Sequence, residues 1–499
     1  MKKEIVLLSV FAMTIFQLSS CINSQDALSE RNIKEGHDLA QRYCASCHQY
    51  PEPTLLDKKT WEKYVLPKMA PYLGFEFYAN AYMASDTGIG LNVSQWNNIF
   101  RYYVSEAPEE PLKREQEIGK IATESPQFAE VPVNLNIESP ATTLVFVDSI
   151  NRRILFGDGM LGELYILGRD LVIQDSIKGG IGISNVRLKD SSLWILSMGI
   201  MHPSDEKAGQ LIIARQEDSV SIKIFDSLQR PVQATYVDLN GDQKEDIILC
   251  EFGDRVGSFS WLENKGKNIY LKHVLRALPG SIKSVVHDFN EDGKPDIMTL
   301  MAQGDEGVFI YYNEGNGSFR EHRVLRFSPS YGSNYLELAD FNNDGFQDII
   351  TSNGDNGDYP PILKAYHGIR IFLNNGKNEF EEKIFLPVNG IGKVMARDFD
   401  MDGDLDLVSI AYFADFRDIP SEAFIYWENE GNFKFSPSTI KNVTVGRWIA
   451  MDAGDYDGDG DLDVILGNAD FRLGDVPPEL KKKWDGYSPS LLILKNKLH

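Results

Sequence analysis

The spacing of apolar and polar residues changes twice along this chain of 499 residues. Residues 5–18 form an apolar run, residues from about 30 to 108 show helical spacing, and beyond about residue 126 short apolar or alternating runs are separated by Gly, Asn and Asp. The first pattern is typical of an export signal, the second of helices and the third of strands joined by turns. We therefore predict a multidomain protein in which a small all-α domain precedes an all-β domain.

Two stretches within residues 30–108 have the spacing of amphipathic helices. The first ends at Tyr43, and the second runs from Val93 to Val104 with Ser94 as a candidate N-cap. The spacing is carried by Ile33, His37, Leu39, Ala40 and Tyr43 in the first stretch and by Val93, Trp96, Ile99, Phe100, Tyr103 and Val104 in the second. Residues 109–125 combine Pro with mixed charges, which indicates a linker.

Residues 126–499 contain an internal repeat. Five copies of one acidic pattern begin at spacings of 50, 52, 58 and 57 residues, at Asp238, Asp288, Asp340, Asp398 and Asp455. Each copy joins an apolar run, the acidic loop, a second apolar run and a third strand, and a further strand follows. In the first four copies the third strand ends in an Asn-x-Gly turn, at Asn264, Asn313, Asn374 and Asn429. Four strands in about 50 residues are the signature of a β-propeller blade.

Two less regular blades fit between about residues 140 and 233, around Val145–Asp148 and Leu193–Leu196, and bring the total to seven. The last repeat stops at Leu494, where its fourth strand should begin. Residues 128–135 resemble the outer strands of the other repeats. We predict that they complete the seventh blade and close the ring, because closure removes exposed sheet edges.

The chain is acidic, with 50 Lys and Arg against 73 Asp and Glu and a net charge of −23. This balance argues against nucleic acid as a partner, because phosphates need a basic face. Many of the acids lie in the five repeated loops, which indicates bound cations. With four Cys in the whole chain we expect no disulfide framework. Cys250, inside an apolar run, is expected to be a small buried hydrophobe.

Residues 1–20 have the features of a signal peptide, since Lys2 and Lys3 precede the apolar run and small residues follow it. The run is short for an uncleaved membrane anchor, because a span needs about 20 apolar residues. Leu18-Ser19-Ser20-Cys21 resembles the bacterial lipobox, which implies lipid on Cys21; a secretory signal that merely ends near a Cys is the alternative. With residues 21–29 as a tether, we expect an exported protein, lipid-anchored to a bacterial membrane on its periplasmic or cell-surface side.

The segment Cys44-Ala45-Ser46-Cys47-His48 is the strongest chemical signal in the sequence. Two thiols separated by two residues can both reach the vinyl groups of one haem, and the adjacent His can then meet the iron. Zinc would need two further ligands, and the chain has no second Cys pair. A thioredoxin-like redox pair would need a βαβ context, which this segment lacks. We therefore predict one covalent c-type haem, held by Cys44 and Cys47 with His48 as an axial ligand.

Residues 30–108 resemble a class I cytochrome c domain, with a helix into the haem motif, a loop and a closing aromatic helix. The resemblance implies a Met as the sixth iron ligand. Met69, which lies 21 residues beyond His48, is the best match and Met83 is its competitor; an ordinary core Met is the remaining alternative. A thioether ligand raises the reduction potential and keeps substrate from the iron, so the resemblance implies electron transfer rather than haem catalysis.

Each acidic loop carries oxygen-bearing side chains at positions 1, 3, 5 and 9, which can wrap one hard cation with a carbonyl at position 7. Gly at position 6 permits the sharp turn, and Gln243 replaces it in the first loop. The candidate ligands are Asp238, Asn240, Asp242 and Asp246; Asp288, Asn290, Asp292 and Asp296; Asp340, Asn342, Asp344 and Asp348; Asp398, Asp400, Asp402 and Asp406; and Asp455, Asp457, Asp459 and Asp463. Position 12 is never Glu, so these are not EF-hands. Plain hairpin turns are the alternative, which five copies in register disfavour.

The loops and their flanking strands resemble the FG-GAP/VCBS repeats of integrin-α-like propellers, over about 370 residues. The resemblance implies up to five structural Ca²⁺ ions. Carboxylates packed this closely repel one another unless a divalent cation neutralises them.

Three functions are compatible with these features. We favour a membrane-tethered electron-transfer protein that exchanges electrons with a redox partner protein. Its propeller would dock a protein or a glycan. In this interpretation the protein is an electron carrier more than an enzyme. The second is a propeller that oxidises a substrate, as in quinoprotein dehydrogenases, and passes electrons to the haem. His202, His287, Arg447 and Trp448 are candidates to line its face, although each fits ordinary surface or packing, and no catalytic residue is assigned. The third is a surface adhesion or scaffold protein.

Overall fold

The computed structural model describes residues 29–78, 81–84, 90–116, 118–131, 133, 135, 137–215, 221–357, 362–486 and 488–498. The expected signal peptide and the Cys21 lipidation site lie outside these residues. The chain forms two compact units, Met1–Lys113 and Arg114–His499. Within the described residues, no helix is both long and apolar enough to cross a membrane.

The N-terminal unit is largely helical. Its first helix covers residues 29–43, and its closing helix covers Val93–Glu106. The shorter helical segments between them are Cys44–Ser46, Pro53–Leu55, Lys58–Thr60, Trp61–Val65, Leu66–Met69 and Ala70–Leu73. An antiparallel hairpin then pairs Phe75–Tyr78 with Ala81–Ala84. The predicted small helical region is present, together with a hairpin that the helical spacing did not indicate.

The first helix and the closing helix cross in backbone contact. A Cβ atom added to Gly36 would lie 2.0 Å from the carbonyl oxygen of Asn98 and 2.8 Å from Cβ of Tyr102. Only Gly permits so close an approach. The crossing brings residues that follow the first helix beside the buried face of the closing helix.

The closing helix begins at a reciprocal capping box. The Asn92 side chain accepts a hydrogen bond from the Gln95 backbone N–H, and the Gln95 side chain accepts one from the Asn92 backbone N–H, each at 3.0 Å. The N-cap is therefore Asn92, and the expectation of Ser94 is wrong. From this start the helix turns Trp96 and Tyr103 into the interior of the unit, where both are fully buried.

The second unit is a seven-bladed β-propeller, as the repeat predicted. Each blade contains four antiparallel strands, to which blade 6 adds a fifth, and we number the blades 1 to 7 by the chain order of their innermost strands. The innermost strands are Thr142–Asp148, Ile183–Lys189, Pro231–Val237, Ser281–His287, Ser333–Ala339, Ile391–Arg397 and Trp448–Gly454. The second strands are Arg153–Asp158, Ser192–Ser197, Asp246–Glu251, Asp296–Met301, Asp348–Asn353, Asp406–Ala411 and Asp463–Asn468.

The outer half of each blade follows the same order. The third strands are Glu163–Leu167, Gly209–Arg215, Ser258–Gly266, Gly307–Gly315, Gly368–Asn374, Phe424–Asn429 and Leu491–Asn496. The fourth strands of blades 1 to 6 are Ile173–Lys178, Ile222–Leu228, Ile269–Arg276, Ser318–Arg326, Phe380–Pro387 and Phe435–Thr439. Short helices Pro420–Ala423, Val443–Val445 and Pro478–Gly486 lie in the connections of blades 6 and 7.

Blade 7 is built from both ends of the unit. Its fourth strand is Phe128–Val131, which pairs antiparallel with Leu491–Asn496 so that Phe128 lies opposite Asn496. This pairing confirms the prediction that a segment ahead of blade 1 completes the last blade and closes the ring. Blade 7 therefore has all four of its strands, and neither the first nor the last of them in the chain is left unpaired.

The propeller unit begins earlier than the predicted boundary at residue 126. Ala122–Thr123 adds a parallel strand at the outer edge of blade 6, beside Phe435–Thr439. The Arg114 guanidinium forms an ion pair with the buried Glu422 carboxylate, with 3.1 Å between Nη1 and Oε1. Residues 114–125, predicted as part of a linker, therefore belong to the propeller unit.

The second strands explain the apolar runs of the repeat. In blades 3 to 7 every residue of the second strand is buried. Blades stack face to face, so a second strand is covered on both sides and shows a continuous apolar run instead of alternation. This packing holds the acidic loops, which join first and second strands, at fixed positions on one face of the ring.

Candidate functional sites

The two motif cysteines occupy different environments. Cys44 begins the turn Cys44–Ser46 directly after the first helix, and its thiol lies within hydrogen-bonding reach of Tyr103. Burial raises the pKa of the Cys44 thiol to about 11. Cys47 is exposed, with its sulfur 3.7 Å from the Ser46 hydroxyl. One thiol therefore faces the interior of the unit and the other faces solvent.

His48 is oriented by its neighbour along the chain. Its Nδ1 lies 2.8 Å from the Gln49 carbonyl oxygen, and a proton on Nδ1 donates to that oxygen. The lone pair then belongs to Nε2, the form in which an imidazole binds metal ions.

Aromatic residues of the closing helix pack against aromatic residues from other elements of the N-terminal unit. Trp96 stacks on Phe75 at 5.5 Å between ring centroids and meets Tyr82 edge-on at 5.4 Å. Tyr103 packs on Trp61 at 4.4 Å, and its hydroxyl donates to the Pro51 carbonyl at 3.0 Å. The buried indole Nε1 of Trp96 donates no hydrogen bond within the described part of the chain. A buried donor without an acceptor is costly, so Trp96 has hydrogen-bonding capacity left for a ligand.

The two candidate methionines lie on different elements. Met69 ends the helical segment Leu66–Met69 and is half-buried. Met83 lies in the hairpin and is 54 % exposed. Tyr82 packs on Trp96, and neighbouring residues of a strand point to opposite faces, so Met83 points away from the aromatic cluster.

The donor set around the motif fits a covalent haem. It comprises two thiols with two residues between them, an imidazole held through Nδ1 and, beside Cys44, the buried aromatic ring of Tyr103. These are the groups needed to attach, ligate and enclose a flat apolar ring with polar substituents.

The acidic loops share one backbone geometry. The position 1 carboxylate accepts from the backbone N–H of position 6, as Asp398 does from Gly403 at 3.1 Å. The position 6 residue has positive φ in every loop, 98° for Gly403 and 65° for Gln243. Gln243 therefore adopts a left-handed backbone conformation that Gly takes without cost and that is strained for Gln.

Blades 6 and 7 bring their carboxylates closest together. Asp398, Asp400 and Asp402 have carboxylate oxygens within 4.8 Å of one another, and so do Asp455, Asp457 and Asp463. Oδ1 of Asp457 is buried and accepts no hydrogen bond within the described residues. Oxygens this close, with an unused acceptor among them, fit a hard cation such as Ca²⁺.

Lysine side chains already neutralise part of three loops. Lys244 lies 2.8 Å from Asp242 in blade 3, and Lys294 lies 2.7 Å from Asp292 in blade 4. In blade 7, Lys495 lies 2.5 Å from one oxygen of Asp457 and contacts Asp459. This contact was not predicted, because 36 residues separate Lys495 from Asp459 along the chain.

The position 9 aspartate has a second role that sequence reasoning missed. In blade 6, Asp406 accepts from the backbone N–H of Phe399 at 3.3 Å and from that of Asn429 at 2.8 Å. The same pair of bonds recurs in all five blades, at Asp246, Asp296, Asp348, Asp406 and Asp463. This aspartate therefore joins the loop to the end of the third strand. The detectable signal was the terminal Asn, which recurs in blade 7 as Asn496.

Burial acts on the position 9 carboxylates as well. It raises the pKa of Asp406 to about 6 and that of Asp463 to about 7. A neighbouring divalent cation has the opposite effect, because it favours the ionised carboxylate.

The remaining candidates from the sequence do not form a common site. Arg447 and Trp448 are fully buried, and the Arg447 guanidinium packs 3.7 Å from the Tyr412 ring centroid. His202 and His287 are exposed in different blades. Cys250 is fully buried, as predicted, and burial raises the pKa of its thiol to about 12.

Comparisons with known proteins concern the propeller. A family model described as FG-GAP-like repeat matches residues 288–351 and 410–466, which cover the loops of blades 4, 5 and 7. The chain carries FG-GAP-like repeats. Both matched segments lie in the propeller unit.

Two curated relatives share part of the chain. The T-cell immunomodulatory protein homolog of Plasmodium falciparum (isolate 3D7) is 29 % identical over 190 residues, which are 35 % of this chain and 24 % of that protein. Cartilage acidic protein 1 of Mus musculus is 28 % identical over 174 residues, which are 32 % of this chain and 25 % of that protein. The matches thus span about a quarter of the length of these relatives.

Two solved structures are similar in outline. The N-terminal domain of Nup159 aligns with 77 % of this chain and 98 % of its own length, at 12 % identity and a TM-score of 0.43. BBS1N in complex with ARL6DN aligns with 74 % of this chain and 96 % of its own length, at 11 % identity and a TM-score of 0.45.

Proposed function

We propose that this protein is an extracytoplasmic c-type cytochrome, tethered to a bacterial membrane by lipid on Cys21, whose calcium-stabilised propeller docks a protein or glycan. The observation that carries the proposal is the Cys44–His48 motif directly after a helix, where the His48 imidazole is oriented by the Gln49 carbonyl and Cys44 lies beside the buried Tyr103. The haem supplies one-electron exchange when bound.

The chain's own residues have separate tasks in this function. Cys44 and Cys47 provide the thiols for attachment, and the Gln49 carbonyl holds the His48 ring so that Nε2 serves as the ligand atom. Met69 is the preferred sixth ligand, because Met83 is more than half exposed and faces away from the aromatic cluster. Trp96 offers its unused N–H to a polar substituent of the bound group.

The role of the acidic loops is structural. Blades 6 and 7 hold three carboxylate oxygens within 4.8 Å, which favours divalent cations there above the other loops. A rigid, cation-stabilised ring suits a docking module, since binding then costs little conformational entropy.

A second candidate function is an adhesion or scaffold protein in which the haem is secondary. The FG-GAP-like repeats favour it, because both matched segments lie in the larger unit of the chain. The two candidates differ in whether a redox partner exchanges electrons with the protein.

The decisive experiment is haem staining of the protein after denaturing electrophoresis. We expect staining of the wild-type chain and none after the double change Cys44→Ala and Cys47→Ala, with Cys250→Ala as a matched control that keeps it. Haem that acidic acetone extracts from the wild-type protein contradicts covalent attachment. Loss of stain with unchanged surface binding favours the adhesion function.

The axial ligand and the anchor need their own variants. Met69→Ala should remove the weak sulfur-to-iron band of the oxidised protein and lower the potential. Loss of the band in Met83→Ala instead moves the ligand to Met83.

Cys21→Ser should release the protein from the membrane fraction, and continued membrane association contradicts the lipid anchor.

A further inference from the structure

A groove of about 500 Å³ opens on the loop face of the propeller, between blades 4 and 5. It lies between the acidic loop of blade 4 and two segments of blade 5, its own acidic loop and the turn after its third strand. The lining residues used below are His287, Glu291, Phe346, Gln347, Gly376 and Lys377.

Phe346 departs from the pattern of the repeat. It occupies position 7 of its loop, where the other loops have the charged residues Lys244, Lys294, Asp404 and Asp461. Its ring is 40 % exposed although the blades on either side have packed cores. An exposed ring in a groove is an unused apolar surface.

Gly376 makes room for this ring. A Cβ atom added to Gly376 would lie 2.8 Å from Cζ of Phe346, and the φ of 78° favours Gly as well. The turn below the ring is firmly held, since the Asn378 side chain donates to the Phe289 carbonyl at 2.7 Å. The Phe346 ring therefore packs against a turn that is held in place by a hydrogen bond.

Four polar side chains that line the groove have hydrogen-bonding capacity left. The side chains of His287, Glu291, Gln347 and Lys377 form neither a hydrogen bond nor an ion pair with the described residues. Together they offer donors and acceptors in the groove that also contains the exposed Phe346 ring. Binding sites for small polar molecules combine an apolar platform with a few convergent polar groups in this way.

The charge of the groove restricts the ligand. Residues 114–499 contain 60 of the 73 acids but only 39 of the 50 bases, so the unit repels polyanions. Within the groove, the carboxylates of Asp288 and Glu291 outnumber the single ammonium of Lys377, and this slight excess of negative charge disfavours a sulfated glycan or an acidic peptide. A neutral ligand rich in hydroxyl groups matches this lining best.

We propose that the groove between blades 4 and 5 binds a neutral oligosaccharide, with Phe346 stacked on one sugar ring. The proposal rests on the docking role of the propeller and names its ligand class. Sugar C–H groups carry slight positive charge and lie well on the negative face of an aromatic ring. Gln347, Glu291 and His287 hydrogen-bond the hydroxyls at the edge of that ring.

The test is calorimetric titration of the full-length protein with cellohexaose, xylohexaose, mannohexaose and chitohexaose, with a heparin hexasaccharide as a charged comparison. We expect at least one neutral hexasaccharide to bind. Phe346→Ala should weaken it at least tenfold and Gln347→Ala less, whereas Phe346→Tyr should keep it. Val256→Ala, which removes an exposed apolar side chain from blade 3, is the matched control and should not change affinity.

Two results overturn the saccharide site. One is the absence of binding by all four neutral hexasaccharides, including the case in which only heparin binds. The other is equal affinity of wild type and Phe346→Ala. Haem staining of the same samples is independent of this groove. Calcium binding in blades 6 and 7 is independent of it as well, because the groove includes candidate calcium ligands of blade 4 alone, Asp288 and Asn290. Failure of the saccharide site therefore leaves the proposed function standing.

Discussion

The acidic loops of blades 6 and 7 have the same five aspartate positions but different electrostatic neighbours. Each loop has Asp at positions 1, 3, 5, 7 and 9, from Asp398 to Asp406 and from Asp455 to Asp463. In blade 7 the ammonium of Lys495 lies 2.5 Å from Asp457. Hydrogen bonds to Asp457 and Asp459 raise the pKa of Lys495 well above its ordinary value. By strand register, the residue of blade 6 equivalent to Lys495 is Glu428.

The number of acids in a loop therefore does not by itself set the expected need for a cation. Blade 7 carries a resident positive charge that neutralises part of its loop. Blade 6 has a carboxylate at the equivalent place, and within the described residues no Lys or Arg forms an ion pair with its acidic loop. We therefore expect an added cation to supply all of the neutralisation in blade 6. We therefore expect the blade 6 loop to bind Ca²⁺ more tightly, although both loops contain five aspartates.

The largest effect should come from removing calcium from the whole protein. An ion that binds only the folded state stabilises it by about 2.7 kcal/mol at one hundred times its dissociation constant, so two such sites supply about 5 kcal/mol. We expect the melting temperature to fall by several degrees when a chelator replaces millimolar calcium, with magnesium as the control ion. Identical melting curves would mean that the loops are turns without metal.

Single substitutions at position 5 should separate the two loops. In calcium, Asp402→Ala should abolish more of the calcium-dependent stabilisation than Asp459→Ala, up to about 2.7 kcal/mol. In chelator the signs should differ, because Asp402→Ala relieves repulsion and Asp459→Ala removes a partner of Lys495. Asp242→Ala in blade 3, whose carboxylate pairs with Lys244, is the control. Thermal unfolding under both conditions measures the effects, and equal shifts for Asp402→Ala and Asp459→Ala would erase the distinction.

Exchanging the neighbouring charges should exchange the affinities. Lys495→Glu should tighten calcium binding in blade 7 about tenfold, and Glu428→Lys should weaken it in blade 6 by a similar factor, about 1.4 kcal/mol each. Lys497→Glu and Glu430→Lys change the net charge equally at side chains that bond to residues outside the acidic loops, Ser125 and Lys434, and should leave both affinities unchanged. Calcium titration calorimetry of the four variants reports the outcome. Affinities that follow net charge alone would refute a local effect of Lys495.

The smallest effect concerns the position 9 aspartates. The Tyr426 hydroxyl donates to Asp406 at 2.8 Å, and Ile493 occupies the equivalent place in blade 7. Tyr426→Phe should lower the free energy of unfolding by about 1 kcal/mol, because one buried acceptor loses a donor. Ile493→Val, which removes one methyl group from blade 7, is a control of similar size and should leave calcium affinity unchanged. Denaturant unfolding measures the free energy of unfolding of both variants, and calcium titration calorimetry measures the affinity. An unchanged free energy of unfolding in Tyr426→Phe would show that water replaces the hydroxyl.

The repeat itself was readable from the sequence. Apolar runs, turn residues and acidic loops are local patterns that recur every 50 to 58 residues, so blade number and ring closure followed from counting. The motif at Cys44–His48 was equally local. Two local predictions failed. The N-cap of the closing helix is Asn92 and not Ser94, because two neighbouring residues could both cap a helix. The hairpin that pairs Phe75–Tyr78 with Ala81–Ala84 was missed, because it depends on contacts between strands.

The amino-acid sequence alone determined the seven blades, the five loops and the spacing of the cysteine motif, because side-chain alternation and turn chemistry act over a few residues. Tertiary structure decided which charges meet. Asp463 bonds to Asn496 and Lys495 reaches Asp457 only because the third strand pairs with the second in one register. Phe346 faces Gly376 for the same reason, since two turns of one blade come together only when its strands have paired.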